Sequence, residues 1–450
     1  TASPPQRAAA APRRGGVATA QLRLPQELPA PLTPVAPTVV FVAVHSALSH
    51  TLRRLGISFP ASIVGMLGGF ALLCCLPRRT AAQLERWFDP SCRLFRDWLA
   101  AIFSPGFTVL PLTMPPVDAK DIGTFVLLLC LGFVATTATN AAIATGLAPR
   151  RSVEFDEGAA DLASPDAGPP RKPPDPFPAV QQKSLVALTV AAAAAYLMAG
   201  RGAISLQLAL LGVTLGSFSL ATTFVPPAIK LWLHPFVSTS LCTLAACAAL
   251  GAASGGGWRP LLAAFAARGG AGWLLMQLTG PTVLSFAFQL YRYRAQLQRR
   301  SVQIVGTAVC GAFVGMLSSA AAARAAGLQP VLRLALLSRS TISAVAMEIC
   351  KLLGVQPPAL GLLAAFITGL LAFPFGKATL DALRVNDPPT RGLALAGAAH
   401  GGGLLAISDE PEAFPFAALM MNLQAASAVF LVSIPAVRRL LLAVALGRSG

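Results

Sequence analysis

Charge is scarce in this sequence: 12% of its 450 residues are Asp, Glu, Lys or Arg, against roughly 25% in soluble globular domains. That is too little polar side chain to cover a water-exposed surface. Acids are rarer than bases, 18 against 35, and between Pro176 and Leu380 the one acid is Glu348. The eight cysteines form no C-x-x-C pair and the four histidines are scattered. Zinc spacing and a disulfide framework are thereby excluded, and reduced buried thiols are expected. No Ser-His-Asp arrangement or phosphate loop is visible, so no catalytic residue, metal or cofactor is expected and the chain does not read as an enzyme. The net charge of +17 raises nucleic acid as a partner. However, there is no RNP, finger or homeodomain pattern, and the densest basic cluster, Arg292, Arg294, Arg299 and Arg300, falls between two apolar runs. That is where loop charges orient a membrane protein and meet anionic lipid.

What the sequence does have is long apolar runs, at 121–148, 184–200, 203–222, 235–256, 303–326, 357–378 and 412–436. A helix needs about 20 residues to cross a bilayer core. The runs lack the alternation of barrel strands, so the expected fold is an all-α integral membrane protein with about 12 transmembrane segments. Residues 1–35, rich in Ala, Pro and Arg with no acid before Glu27, read as a transit-peptide remnant or a disordered arm. A first membrane block covers 36–148. Within it, residues 80–100 are too charged to span and read as an interfacial amphipathic helix, and Phe103-Ser104-Pro105-Gly106-Phe107 reads as a break. Residues 149–183, acidic and Pro-rich, read as a linker to a second block at 184–445. Gly65/Gly69, Gly212/Gly216 and Gly311/Gly315 have the spacing that lets helices pack closely.

Three segments carry candidate function. Glu348 sits in the apolar run 342–350, seven residues after Thr341, and can exchange protons or simply pair with Lys351. The segment 279–290 aligns without gaps to 338–349, matching Thr282 to Thr341 and Gln289 to Glu348. Transporters built from weak repeats place broken helices at the membrane midplane in this way. The candidate substrate-binding residues are therefore Thr279, Gly280, Pro281 and Thr282, with Ser338, Arg339, Ser340 and Thr341. Arg339 supplies charge to an anion or snorkels to the interface. In the third segment, Asp387-Pro388 should open a helix that Gly401, Gly402 and Gly403 unwind beside His400, a second candidate for substrate binding and proton coupling. Intramembrane polar residues are more numerous in the second block, which is expected to carry the substrate path.

The run Ile57-Ser58-Phe59-Pro60-Ala61-Ser62-Ile63-Val64-Gly65-Met66 resembles the signature helix of LrgA/CidA proteins, departing from it at Ser58 and Ala61. The second block resembles LrgB/CidB through Thr279–Val283, Ala346–Ile349, Asp387–Leu395 and Ala399-His400-Gly401. An LrgA-like block fused to an LrgB-like transporter block behind a transit-like segment is similar to plant and algal members of this family. The resemblance implies a secondary transporter that exchanges or proton-couples small 2-hydroxy monocarboxylates, glycolate and glycerate, across the chloroplast inner envelope in photorespiration. Its partners would be small carboxylates and the lipid bilayer, with no nucleic acid; a homo-oligomer stays open. The competing reading is a holin-like pore or lysis regulator, the function class of the bacterial relatives.

Overall fold

The computed structural model describes residues 34–57, 59–114, 116–149, 177–198, 202–226, 229 and 234–447. Nearly all of the 1–35 arm, most of the linker and Ser58 of the first motif lie outside the described residues. Among those residues the secondary structure is helical throughout, with no strand. The first block contributes α1 (Val35–Arg54), α2 (Ala61–Cys75), α3 (Arg78–Asp97), α4 (Leu99–Thr108), α5 (Leu110–Thr113) and α6 (Ala119–Gly146). Then follow α7 (Ala179–Met198), α8 (Ala203–Phe224), α9 (Pro235–Ala253), α10 (Trp258–Ala266), α11 (Ala271–Gln277), α12 (Thr279–Arg292) and α13 (Arg294–Arg299). The chain ends with α14 (Ser301–Ala325), α15 (Pro330–Leu336), α16 (Ser343–Leu352), α17 (Ala359–Ala382), α18 (Pro388–Ala406), α19 (Phe414–Ser433) and α20 (Pro435–Leu446).

Among the described residues, eight stretches are long and apolar enough to cross a membrane: α1, α6, α8, α9, the run Trp258–Arg292, α14, α17 and α19. Eight is fewer than the twelve expected. The difference lies in apolar runs divided into shorter helices, such as α15 and α16, and in α7, whose first turn carries Gln181, Gln182 and Lys183. The distribution of polarity is that of a multi-pass membrane protein. On α6, Leu127, Leu131 and Val134 face outward while Thr136, Thr137 and Asn140 are buried, the reverse of a soluble helix.

The central bundle packs α17, α18 and α19 side by side, with α6 and α14 closed against them. Small residues make this approach available. A Cβ on Gly376 would press on Leu395, and one on Gly311 would overlap the Asn140 side chain. The other two glycine pairs also sit at helix crossings. Gly65 and Gly69 face Leu284 and Ala287 of α12, and Gly212 and Gly216 face Thr189 and Leu185 of α7. A separate cluster around Leu210, Cys247, Leu262 and Phe265 joins α8, α9 and α10. There Gln207 donates to Ala264 O (3.1 Å) and accepts from Ala271 N (2.7 Å), satisfying both ends of the α10–α11 turn.

The charged helix α3 buries Ala81, Ser91 and Phe95. Phe41 of α1 meets Phe88 and Phe95 of α3 and Phe288 of α12, and Ser91 Oγ donates to Pro34 O at 2.8 Å. The break expected at 103–107 is absent, because these residues lie inside α4. Pro105 has no N–H for the carbonyl four residues back, and Ser104 Oγ donates to that carbonyl, Ala101 O, at 2.9 Å instead.

The Asp387-Pro388 start of α18 is as expected. Asp387 accepts from Thr390 N (3.0 Å) and Thr390 Oγ1 (2.6 Å), and Pro388 occupies the first turn. Arg391 forks onto both carboxylate oxygens of Glu410 at 2.8 Å and reaches Asp381 at 2.8 Å and Val385 O at 2.9 Å. The Asp-Pro-Pro-Thr-Arg motif is therefore a clamp holding the ends of α17, α18 and α19. Replacing Arg391 by Met should lower stability by about 2–4 kcal/mol by leaving a half-buried Glu410 unpaired. Thermal unfolding in detergent measures this, and an unchanged midpoint would rule the clamp out.

Candidate functional site

Arg339 lies in the non-helical turn 337–342 between α15 and α16 and is 2% exposed. It does not snorkel. Its Nε donates to Ser319 Oγ on α14 (2.9 Å) and its Nη2 to Thr136 Oγ1 on α6 (2.6 Å). Nη1 is buried with no partner, and no carboxylate of the described residues pairs with the guanidinium. Gly132, one turn before Thr136, admits the group: a Cβ there would lie 2.6 Å from Arg339 Cζ. Burying a cation without an acid costs several kcal/mol, so this position invites an anion. The surroundings of Arg339 come from both blocks, since α6 belongs to the first.

Its neighbours in the candidate set are otherwise occupied. Ser338, Thr341, Thr279 and Thr282 each donate to a carbonyl of their own turn, at 2.7–2.8 Å. Pro281 is buried in the first turn of α12, and Ser340 lies 3.8 Å from where a Cβ on Gly315 would stand. A Cβ on Gly280 would collide with the His45 ring of α1, so this glycine makes room for α1. The gapless alignment does not extend to conformation. Residues 279–290 are continuous helix, whereas 338–342 are not, so Thr341 precedes α16 and shares no helical stripe with Glu348. Glu348 is partly exposed and bonded to Lys351 at 2.7 Å, the pair that its i+3 spacing offered.

The α18 segment is broken, but not at its glycines. Ala399 (φ −129°, ψ 16°) and His400 (φ 43°, ψ −121°) are the non-helical residues, and helix resumes at Gly401. A positive φ at a non-glycine residue is strained and persists only where packing enforces it. The glycines serve that packing. A Cβ on Gly402 would overlap the backbone of Gly369 on α17, and one on Gly403 the carbonyl of Leu395 across the kink. His400 is buried, with Nε2 2.8 Å from Ala365 O. With Nε2–H donating there, Nδ1 is left as an acceptor.

Two cavities flank this region. One, of about 550 Å³, is lined by His45, Trp273, Thr279, Gly280, Glu348 and Lys351. The other, of about 510 Å³, is lined by Ser285, Gln289, Ser343, His400, Gly401 and Gly402, and reaches Arg93 and Arg96 of α3. The same helices serve both. On α12, Thr279–Val283 face the first cavity and Ser285–Arg292 the second; on α4, Pro105–Val109 face the first and Leu99–Phe103 the second. The cavities therefore lie toward opposite ends of α4 and α12, with buried Leu284 and Ser104 between them. Reasoning from sequence missed His45, Thr136, Asn140, Ser319 and Gln424. The i, i+4 polar pair Thr136 and Asn140, one turn after Gly132 in an apolar run, was the available signal.

Fold and site together describe a multi-pass helical membrane protein with an uncompensated buried cation and opposed cavities. Residues 214–437 match the LrgB-like family, a segment running from within α8 to within α20. The chain is 29% identical over 418 residues to the plastidal glycolate/glycerate translocator 1 of Arabidopsis thaliana, covering 90% of this chain and 79% of that one. It is 29% identical over 132 residues to YwbG and 31% over 126 residues to YxaC, both uncharacterized proteins of Bacillus subtilis (strain 168), covering 58% and 54% of their lengths. No solved structure matches. The LrgB resemblance read from the motifs is thus upheld.

Gly402→Ala should force α17 and α18 apart and destabilise the protein by about 1–3 kcal/mol through overpacking. The same change at Gly401, whose nearest neighbour is Met421 Sδ at 3.8 Å from an added Cβ, should be tolerated. Melting temperatures of the two variants make the comparison, and equal shifts would refute the contact.

Proposed function

We propose that this chain is a secondary transporter that exchanges small 2-hydroxy monocarboxylates, glycolate and glycerate, or couples their movement to protons, across the plastid inner envelope in photorespiration. The observation that carries the anionic class is the Arg339 guanidinium, buried among membrane-crossing helices with no carboxylate partner among the described residues and with Nη1 unspent. Substrate identity and location rest on the likeness to the translocator of Arabidopsis thaliana. In this reading residues 36–148 form an LrgA-like block and 184–445 an LrgB-like transport block, with α3 lying at the membrane interface.

The geometry suggests how such a protein would work. Arg339 lines neither cavity, so in this reading substrate passes from one cavity to the arginine and on to the other only when the half-helices α15, α16 and the two parts of α18 shift. Uniform leakage through a pore needs no buried, unpaired cation, and so the pore reading has less support. Glu348 lines the first cavity together with His45, and is the candidate for carrying a proton there.

Counterflow of labelled glycolate in proteoliposomes tests the reading: saturable, substrate-selective flux is expected, and size-limited leakage of unrelated solutes would establish the pore instead. Arg339→Leu should abolish counterflow. Arg339→Lys, which keeps charge but loses the guanidinium fork, should raise KM by about tenfold. For Glu348→Gln, the exposed pair with Lys351 is worth about 0–1 kcal/mol, so the variant should insert and melt normally. Proton coupling through Glu348 predicts that its uptake no longer varies with pH, and a wild-type pH profile would remove the residue from the mechanism.

A further inference from the structure

Asn140 on α6 and Gln424 on α19 are fully buried amides, and none of their four polar atoms has a hydrogen-bond partner among the described residues. They share one gap. A Cβ on Gly311 would overlap Asn140 Oδ1 and lie 3.5 Å from Gln424 Oε1, and one on Gly397 would overlap Asn140 Nδ2. Asn140 is one helical turn beyond Thr136, which holds Arg339 Nη2, so its Cβ stands about 6 Å from that of Thr136 on the same face. Five unspent polar atoms, the four amide atoms and Arg339 Nη1, thus belong to side chains that meet α14 between Gly311 and Ser319.

Buried polar atoms are left unpaired at a cost, and two amides beside a guanidinium are difficult to retain as packing alone. Their chemistry specifies an occupant. Arg339 Nη1 and the two amide nitrogens donate, which suits a carboxylate, while the two amide oxygens accept, which suits a hydroxyl. A metal cation is disfavoured by the guanidinium. We propose that Thr136, Asn140 and Gln424 complete the Arg339 site as a chamber for a small hydroxy acid. Arg339 takes the carboxylate and the two amides select for the hydroxyl. The proposal rests on the transporter reading. It also makes α6, which lies outside the segment matching the LrgB-like family, an essential wall of the substrate site.

The test uses the full chain in proteoliposomes, comparing labelled glycolate with acetate, which lacks the hydroxyl. A site built to bond a hydroxyl rejects the analogue without one, because its own polar groups are then left unpaired. The wild-type chain should prefer glycolate. Asn140→Leu and Gln424→Met, close in shape to the native side chains, should raise the glycolate KM by about tenfold or more, change acetate flux less than glycolate flux and bring the preference toward unity. Neither should lower the melting temperature, since each removes unpaired polar atoms. Wild-type KM and preference in both variants would overturn the chamber while leaving the transporter reading intact. Loss of folding in both would also overturn it, because the amides would then have to be structural. Absence of saturable flux in the wild-type chain would defeat the transporter reading and this inference with it.

Discussion

A buried guanidinium that pairs with no carboxylate among the described residues sets the terms for what surrounds Arg339. Its charge has to be met by dipoles, and the structure supplies two hydroxyls, from Ser319 and Thr136, on helices that are distant in sequence. Both helices must come close, and Gly132 on α6 leaves the room that the guanidinium needs. The arginine itself must sit where backbone is not committed to a helix, and the turn 337–342 provides that position. Chain interruption, small residues and buried hydroxyls are thus linked consequences of one charge in a low-dielectric interior.

The second interruption follows a related logic. At Ala399 and His400 the α18 backbone departs from helix so that Gly402 can touch the α17 backbone at Gly369, while His400 Nε2 is tied to Ala365 on the same helix. A strained residue held by contacts to a single neighbouring helix gives α17 and α18 a defined relation at the wall of the second cavity. The Arg391 clamp fixes the other end of the same helices through Glu410 and Asp381. A clamped end and a kinked middle place the interruption of α18 beside the cavity.

Much of this was legible without coordinates. The helix boundaries at 119–146, 203–224 and 359–382 follow the apolar runs to within a few residues, because a bilayer demands that length of apolar helix. The Asp387-Pro388 cap and the three glycine pairs were also readable, since each is a local rule. Two readings failed for an identifiable reason. The Phe103–Phe107 break was inferred from Pro105, but a neighbouring serine replaced the missing hydrogen bond. The unwinding was assigned to Gly401–Gly403, yet those glycines are required by neighbours in space, and the kink falls just before them.

The sequence by itself determined the class of solvent this chain lives in, where its helices run and where they are capped, because hydrophobic length and capping chemistry depend on residues close together in the chain. Only the tertiary structure decided which polar residues matter together. Arg339 meets Thr136 across 203 positions, Asn140 and Gln424 meet over Gly311, and Glu348 turns instead to Lys351. Contacts of that kind depend on how separate helices pack, and no periodicity within a single helix encodes which partner its buried face will find.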